Sequence, residues 1–197
     1  MLRFVLILFV SFSFNASAKD WVEVYQEDDI TIKTINEADG VMPFKAEGVI
    51  KHSLPKIVAA LKDYQNKHRW SPKLKSVKLH SESKNDTYIF SEFYKTPWPA
   101  SDREFLLEGS IKKIKKGVVS FEASSVDLPS LIDEDHVQAQ VHKLNVLLEE
   151  LDKDVTKITF EFYGDLGGWI PTWLMNVIQK KWPLRFIQGL NFYINSH

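Results

Sequence analysis

Residues 103–125 read REFLLEGSIKKIKKGVVSFEASS, and this stretch decides the fold. From Phe105 to Ile111 every second residue is apolar or glycine, which is the period of a strand with one buried face. The same alternation resumes at Val119, after the turn sequence Lys115-Lys116-Gly117. The stretch therefore predicts an antiparallel β-hairpin with an apolar inner face.

The alternation extends to both sides of this hairpin. It begins after Pro72 and continues to Phe162, which predicts an antiparallel meander of about six strands. Within it, the inward positions change from odd numbers, up to Val141, to even numbers, from Leu144 onward. One extra residue restores the phase, so a β-bulge is predicted near His142–Lys143.

Two helices are predicted, one before the meander and one after it. The first has apolar residues at three-and-four spacing from Leu54 and is expected to end near Lys67. The second begins at Pro171 and keeps an apolar face as far as Ile194. Pro183 lies inside it and would cost about 3 kcal/mol in a straight helix, so a kink or short break is expected there.

This order of elements predicts an α+β fold in which a strongly curved antiparallel sheet wraps around the long C-terminal helix. A sheet with this many strands does not lie flat. Held off the helix by large side chains, it encloses an apolar cavity, and an empty cavity is costly at about 24 cal/mol per Å³. We therefore expect an apolar guest. The apolar residues expected to contact it are Phe105, Leu107, Phe121, Val141, Phe160 and Phe162 on the strands, with Trp173 and Val177 on the helix.

The composition narrows the range of functions. The chain has 197 residues, 44% hydrophobic and 26% charged, as expected for one soluble folded domain. Its formal net charge of -1 lacks the basic surplus of nucleic-acid-binding proteins. The absence of cysteine excludes disulfides and thiolate sites, and the six histidines are not at metal-binding spacing. We expect a monomer that holds neither a metal nor a cofactor.

Residues 1–18 have the pattern of a signal peptide. Arg3 is followed by an apolar run at 4–10, and Ala16-Ser17-Ala18 is a small-x-small cleavage sequence. We expect cleavage near Ala18, a mature domain at 19–197, and export to a bacterial periplasm or beyond, because a small exported protein without disulfides fits that compartment. An uncleaved membrane anchor is the alternative.

Three motifs, in this order, carry a resemblance to a known family. They are Trp70-Ser71-Pro72 after the first helix, PWPASDREF at 97–105, and Gly167-Gly168-Trp169-Ile170-Pro171 before the last helix. Over about 21–195 the chain resembles a START domain, of the StAR-related lipid-transfer family. The resemblance implies the helix-grip fold, a lipid or sterol-like ligand in an internal tunnel, and a C-terminal helix that acts as a lid.

Glu92 is the candidate for a polar contact with the ligand. By the resemblance, sterol-binding relatives can carry an inward acid at this point and an inward arginine on the next strand, and here the second position corresponds to Gly109. If Glu92 faces the cavity, its charge lacks that partner and is left to accept a hydrogen bond from a ligand hydroxyl. The direction of its side chain stays open, because apolar residues of this segment fall on both parities.

Two further groups of residues have more than one interpretation. Asp102, Arg103 and Glu104 could form an acid–base cluster, but we interpret them as a turn in which the aspartate caps backbone amides and the arginine pairs with a nearby acid. Tryptophans beside basic residues near the last helix favour transient contact with a membrane surface, and packing over the sheet is the alternative. These residues are Trp169, Trp173, Trp182, Lys180, Lys181 and Arg185.

The predicted function is therefore that of a lipid carrier or sensor in which no bond is made or broken. One alternative is an enzyme of cyclase or hydrolase type in the same cavity, with Glu92 or a tyrosine as the acid–base group. The other is an interaction module whose terminal helix docks a protein partner.

Overall fold

The computed structural model describes residues 21–35, 43–83 and 86–196, and the predicted leader at 1–18 lies outside these ranges. The described part holds two helices, α1 Leu54–Lys62 and α2 Thr172–Asn195. Its strands are β1 Val22–Glu27, β2 Ile30–Thr34, β3 Phe44–Ile50, β4 Leu74–Glu82, β5 Thr87–Tyr94, β6 Arg103–Lys115, β7 Val118–Ser125, β8 Val137–Gln138, β9 Gln140–Asp152 and β10 Val155–Asp165.

All of these strands join one sheet in the order β1-β2-β3-β10-β9-β7-β6-β5-β4, with β8 added beside β6. Neighbouring strands are antiparallel, apart from the short parallel pair of β6 and β8. The buried face of α2, which includes Leu184, Ile187 and Leu190, belongs to the same core as the inward residues of β2, β3 and β10. The predicted α+β architecture, a curved antiparallel sheet around a long C-terminal helix, is confirmed.

The hairpin and the bulge predicted from the alternation are both confirmed. β6 pairs with β7 through a turn at Gly117, whose φ of 74° lies in the left-handed region that favours glycine. Between β9 and β10, Tyr163 pairs with Lys143 while Gly164 pairs with Val141. His142 is the extra residue, and it brings both apolar sets to the inner face.

The first helix is shorter than predicted. It ends at Lys62, and residues Lys67–Arg69 form a separate 3₁₀ turn. The side chain of Asp63 accepts hydrogen bonds from the backbone N–H and the side-chain amide of Asn66, at 3.3 and 2.8 Å. Local bonds of this kind compete with helix continuation, which explains why the helix stops early.

A kink or a short break is predicted at Pro183, and the structure has no break there. The helix α2 is continuous from Thr172 to Asn195. Losing one helical hydrogen bond costs about 3 kcal/mol, whereas each large apolar side chain that is buried contributes roughly 1.5–3 kcal/mol. Leu184, Phe186 and Ile187 are all buried directly after the proline, and their burial offsets the lost bond.

Neither helix in the described ranges is both long enough and apolar enough to cross a membrane.

At Gly189, α2 comes close to the backbone of Trp70, in the segment that follows α1. A methyl group at this position would overlap the carbonyl oxygen of Trp70.

We expect Gly189→Ala to lower the free energy of unfolding by about 1–3 kcal/mol, because the helix must shift to relieve the overlap. Urea denaturation followed by circular dichroism measures the change. Asn176→Ala, at an exposed position of the same helix, should change stability by less than about 0.5 kcal/mol. Equal losses in the two variants would contradict the role of this contact.

Candidate ligand-binding site

The interior between the sheet and α2 is divided into two cavities. The first, which we call the deep cavity, has a volume of about 130 Å³ and lies between β4–β7, β9 and the end of α1. The second, the loop cavity, has a volume of about 180 Å³ and lies beside the segment 95–97 and the first half of α2. Tyr94 and Trp182 border both cavities, so the two spaces are separated mainly by these side chains.

Trp182 is the larger of the two separating side chains. Its indole stands edge-on within an aromatic cluster whose ring centroids lie 5.3–6.0 Å away. The members of that cluster are Phe44, Tyr94, Phe105, Phe160 and Phe162. Among the described residues the buried indole Nε1 has no hydrogen-bond partner. A buried tryptophan N–H usually finds one, so among the described residues the indole is held by packing and not by a hydrogen bond.

A buried ionic group forms part of the wall of the deep cavity. Glu92 is only 1% exposed, and its carboxylate pairs with the ammonium group of Lys67. The hydroxyl of Tyr94 donates a second hydrogen bond to Glu92 at 2.6 Å. Burial, followed by the charge of Glu92, holds the pKa of Tyr94 well above its ordinary value. Tyr94 therefore stays protonated and remains a donor.

The strand β5 settles the direction of Glu92. Glu92 and Tyr94 are two residues apart and share the face that lines the deep cavity with Phe90. Phe93 lies on the opposite face, where its ring is 4.9 Å from the imidazole of His136. Glu92 is thus an inward residue.

Gly109 provides no charged partner for Glu92, as the sequence indicated, but a different residue does. Its partner Lys67 comes from the 3₁₀ turn after α1, twenty-five residues earlier in the chain. The sequence pattern does not indicate this lysine as a partner, because it predicts that the first helix extends to that point. The Asp63 and Asn66 pair, which ends the helix early, is the local signal that could have indicated the turn.

Two small residues create room in the deep cavity. Gly109 on β6 pairs with Ala123 on β7, and both line the cavity. A Cβ at Gly109 would lie 3.0 Å from the ring of Phe90 and 3.2 Å from the Cβ of Ala123. A larger side chain here would therefore have to displace Phe90 or occupy the cavity itself.

The predicted ligand contacts fall into three groups. Glu92, Phe121 and Phe160 line the deep cavity, whereas Phe105 and Val177 line the loop cavity. Three others are buried in the core and border neither cavity, and these are Leu107, Val141 and Phe162. Trp173 borders neither cavity and is 59% exposed. The predicted strand residues point inward, whereas Trp173 and Val177 of α2 are 59 and 49% exposed, against the prediction. The sequence also did not predict how the inner space is divided.

The loop between β5 and β6 is fixed by Asp102 and Arg103. As predicted, Asp102 caps a backbone amide, that of Thr96, at 2.9 Å. The predicted acidic partner of Arg103 is wrong, because no described carboxylate forms an ion pair with it. Its guanidinium instead donates to backbone carbonyls, at 3.3 Å for Leu166, 2.9 Å for Gly167 and 3.3 Å for Trp169. Arg103 therefore anchors the segment that leads into α2.

The described residues contain no group of three or more histidine, aspartate or glutamate side chains placed to hold a metal ion.

Three comparisons place this architecture among known proteins. A family model described as the START domain matches residues 13–191. Uncharacterized protein PA1579 of Pseudomonas aeruginosa is 27% identical over 180 residues, which cover 89% of this chain and 87% of that protein. The phosphatidylcholine transfer protein of Homo sapiens is 22% identical over 177 residues, covering 87% of this chain and 82% of that protein.

A solved structure of similar shape is that of the STAR-related lipid transfer protein from Xanthomonas axonopodis. It superposes with a TM-score of 0.76 at 20% sequence identity, and the match covers 89% of this chain and 98% of that chain. At this identity the likeness establishes the fold, including the long C-terminal helix against the curved sheet.

Proposed function

Because this chain belongs to the START domain family, we propose that it binds a lipid or another hydrophobic small molecule in the space between the sheet and α2. The observation that carries the proposal is that two mainly apolar cavities meet at the indole of Trp182. One of them also contains a buried ion pair, that of Lys67 and Glu92. Apolar walls with a few fixed polar groups are typical of small-molecule sites.

Ligand entry requires Trp182 to move. Volumes of about 130 and 180 Å³ lie below the roughly 300–1,000 Å³ of typical ligand pockets. Withdrawal of the indole from the cluster around Phe160 and Phe162 would join the two spaces into one. Since Trp182 is carried by α2, the proposed movement is that of a lid formed by the first half of this helix.

The ion pair is suited to an uncharged polar group on the ligand. The ammonium group of Lys67 has three donors and the carboxylate of Glu92 has several acceptor positions, of which the observed contacts use only part. A ligand hydroxyl can accept from Lys67 and donate to Glu92 at the same time. A ligand that makes both bonds leaves no buried charge without a partner.

We propose a carrier or sensor rather than an enzyme. The relatives named phosphatidylcholine transfer proteins support a carrier role for this chain. Tyr94 is a poor general base near neutral pH, because its raised pKa keeps it protonated. The carboxylate of Glu92 is already engaged with Lys67 and Tyr94.

The proposal includes export to a bacterial periplasm and transient contact with a membrane. Trp98, Trp169 and Trp173 are 89, 67 and 59% exposed, an arrangement suited to an interfacial surface. Lys181, which was predicted to meet headgroups, is instead paired with Glu27 at 3.2 Å. Arg185 on the same helix is exposed and free of ion pairs within the described residues.

Ligand retention tests the proposal. Native mass spectrometry of the full chain after gentle purification should show a bound lipid, and the protein should extract a fluorescent lipid from vesicles. We expect Gly109→Leu to abolish both, because the new side chain points into the deep cavity. The neighbouring Glu108→Leu, at an exposed position, is the matched control and should retain both. A folded wild-type protein that is empty and extracts no lipid would refute the proposed function.

A further inference from the structure

The charged residues that line the loop cavity are all basic. Five basic residues contribute to its lining, and among the described residues that line it none is acidic. They are Lys73, Lys95, Arg103, Lys181 and Arg185. This is a local excess in a chain whose formal net charge is -1. Clefts lined by one sign of charge concentrate ligands of the opposite sign.

Two of these basic side chains already interact with other groups of the protein. Lys181 is neutralised by Glu27, and its ammonium also donates to the hydroxyl of Tyr25 at 2.6 Å. Arg103 is 2% exposed, and its guanidinium donates hydrogen bonds to backbone carbonyls. Its burial lowers the pKa of the guanidinium. Arg103 therefore adds positive potential to the loop cavity, which the neighbouring carboxylate of Asp102 offsets in part.

The other three are available to a ligand. Lys73 and Lys95 are adjacent across the end of the β4–β5 pair, where the N–H of Lys95 donates to the carbonyl of Lys73 at 2.8 Å. Neither lysine forms an ion pair with any residue that the structure describes. Arg185 donates only to the side-chain oxygen of Gln188, at 2.7 Å.

The inner walls of the loop cavity are apolar. Phe105 lies on the sheet side, Leu166 precedes α2, and Val177 and Ile178 lie on the helix. An aliphatic chain inserted among these side chains would leave water for a hydrocarbon environment. Its headgroup would then lie near the basic residues.

We propose that the loop cavity is a second ligand site, which takes a single-chain amphiphile with an anionic headgroup such as a carboxylate or a phosphate monoester. The chain contacts Phe105 and Ile178, and Lys73, Lys95 and Arg185 hold the headgroup. This inference deepens the proposed function by assigning a ligand charge, but it concerns a cavity separate from the one that contains Glu92. An amphiphile at this site would lie against Trp182 and so report on the position of that side chain.

The first test compares ligands that differ only in the headgroup. Titration of the full chain, by calorimetry and by intrinsic tryptophan fluorescence at fixed ionic strength, uses dodecanoate, dodecanol and inorganic phosphate. We expect dodecanoate to bind at least about tenfold more tightly than dodecanol, and phosphate not to compete at millimolar concentration. Equal affinity for acid and alcohol would overturn the proposal. Competition by phosphate would also overturn it, because the site would then be a simple anion site without a role for the chain.

The second test removes charge at matched positions. The double variant Lys73→Gln/Lys95→Gln should bind dodecanoate roughly 25-fold more weakly, since each of the two basic residues contributes about a fivefold effect near an anionic group. Lys115→Gln/Lys116→Gln removes the same charge from the exposed β6–β7 turn and should leave the affinity unchanged. Equal weakening in both double variants would show a general charge effect and overturn the assignment.

Two further experiments distinguish ligand binding in the loop cavity from membrane binding and from binding in the deep cavity. If Lys73→Gln/Lys95→Gln loses binding to vesicles of phosphatidylglycerol and phosphatidylcholine but keeps its dodecanoate affinity, the basic residues bind a membrane surface and the second site is refuted.

Gly109→Leu, which fills the deep cavity, should leave dodecanoate affinity unchanged. Loss of dodecanoate binding in this folded variant would place the fatty acid in the deep cavity and overturn the proposal. A wild-type protein that retains a lipid but does not bind dodecanoate would overturn the second site and leave the proposed function standing, whereas a folded protein that binds neither would refute both.

Discussion

Replacing Lys67 with methionine should lower the free energy of unfolding by about 3–5 kcal/mol, which is the cost of leaving one member of a buried ion pair without its partner. Glu92 would stay almost completely buried, with Tyr94 as its remaining hydrogen-bond donor. Urea denaturation monitored by circular dichroism and by tryptophan fluorescence measures the loss. The fluorescence signal also reports whether Trp182, which borders the same cavity, keeps its environment.

Two comparisons isolate the contribution of the ion pair. Adding Glu92→Gln to Lys67→Met should restore most of the lost stability, because no buried charge then remains. Lys62→Met breaks an exposed pair with Asp86, in which the charged atoms are 3.3 Å apart, and should cost less than about 1 kcal/mol. If Lys67→Met and Lys62→Met lower the free energy of unfolding equally, the Lys67–Glu92 pair stabilises the fold no more than an exposed ion pair does.

Replacing Trp182 with alanine should also destabilise the empty protein strongly, by about 3–5 kcal/mol, because a large cavity replaces the indole. The five aromatic rings around the indole would lose their common contact. At the same time the deep cavity and the loop cavity would become one space. Thermal unfolding, followed with and without added dodecanol, measures both effects.

The enlarged cavity should respond more to a guest than the wild-type cavities do. We expect dodecanol to raise the melting temperature of Trp182→Ala more than that of the wild type, since a ligand that binds only the folded state stabilises it. Trp173→Ala removes an exposed tryptophan from the same helix and should change stability by no more than about 0.5 kcal/mol. An equal dodecanol shift in Trp182→Ala and the wild type would mean that the indole does not limit the ligand space.

Most of the sheet could be predicted because its signal is local. In a strand, successive side chains point to opposite faces, so a strand with one buried face has alternating apolar and polar residues. The change of parity between Val141 and Leu144 therefore located the bulge at His142. The end of α1 and the course of α2 through Pro183 were not predictable in this way. Each depends on a balance of a few kcal/mol between local bonds and burial elsewhere in the fold.

The sequence by itself determined the order of elements, the inward apolar residues of the strands and the resemblance to the START family. Only the tertiary structure decided which inward groups meet. It brought Lys67 to Glu92 and directed the guanidinium of Arg103 to the carbonyls before α2. It also placed Trp182 between two cavities. The physical reason is that periodicity fixes the direction of a side chain relative to its own strand or helix. Contacts between residues far apart in the chain depend on how the sheet curves and where the helix lies against it.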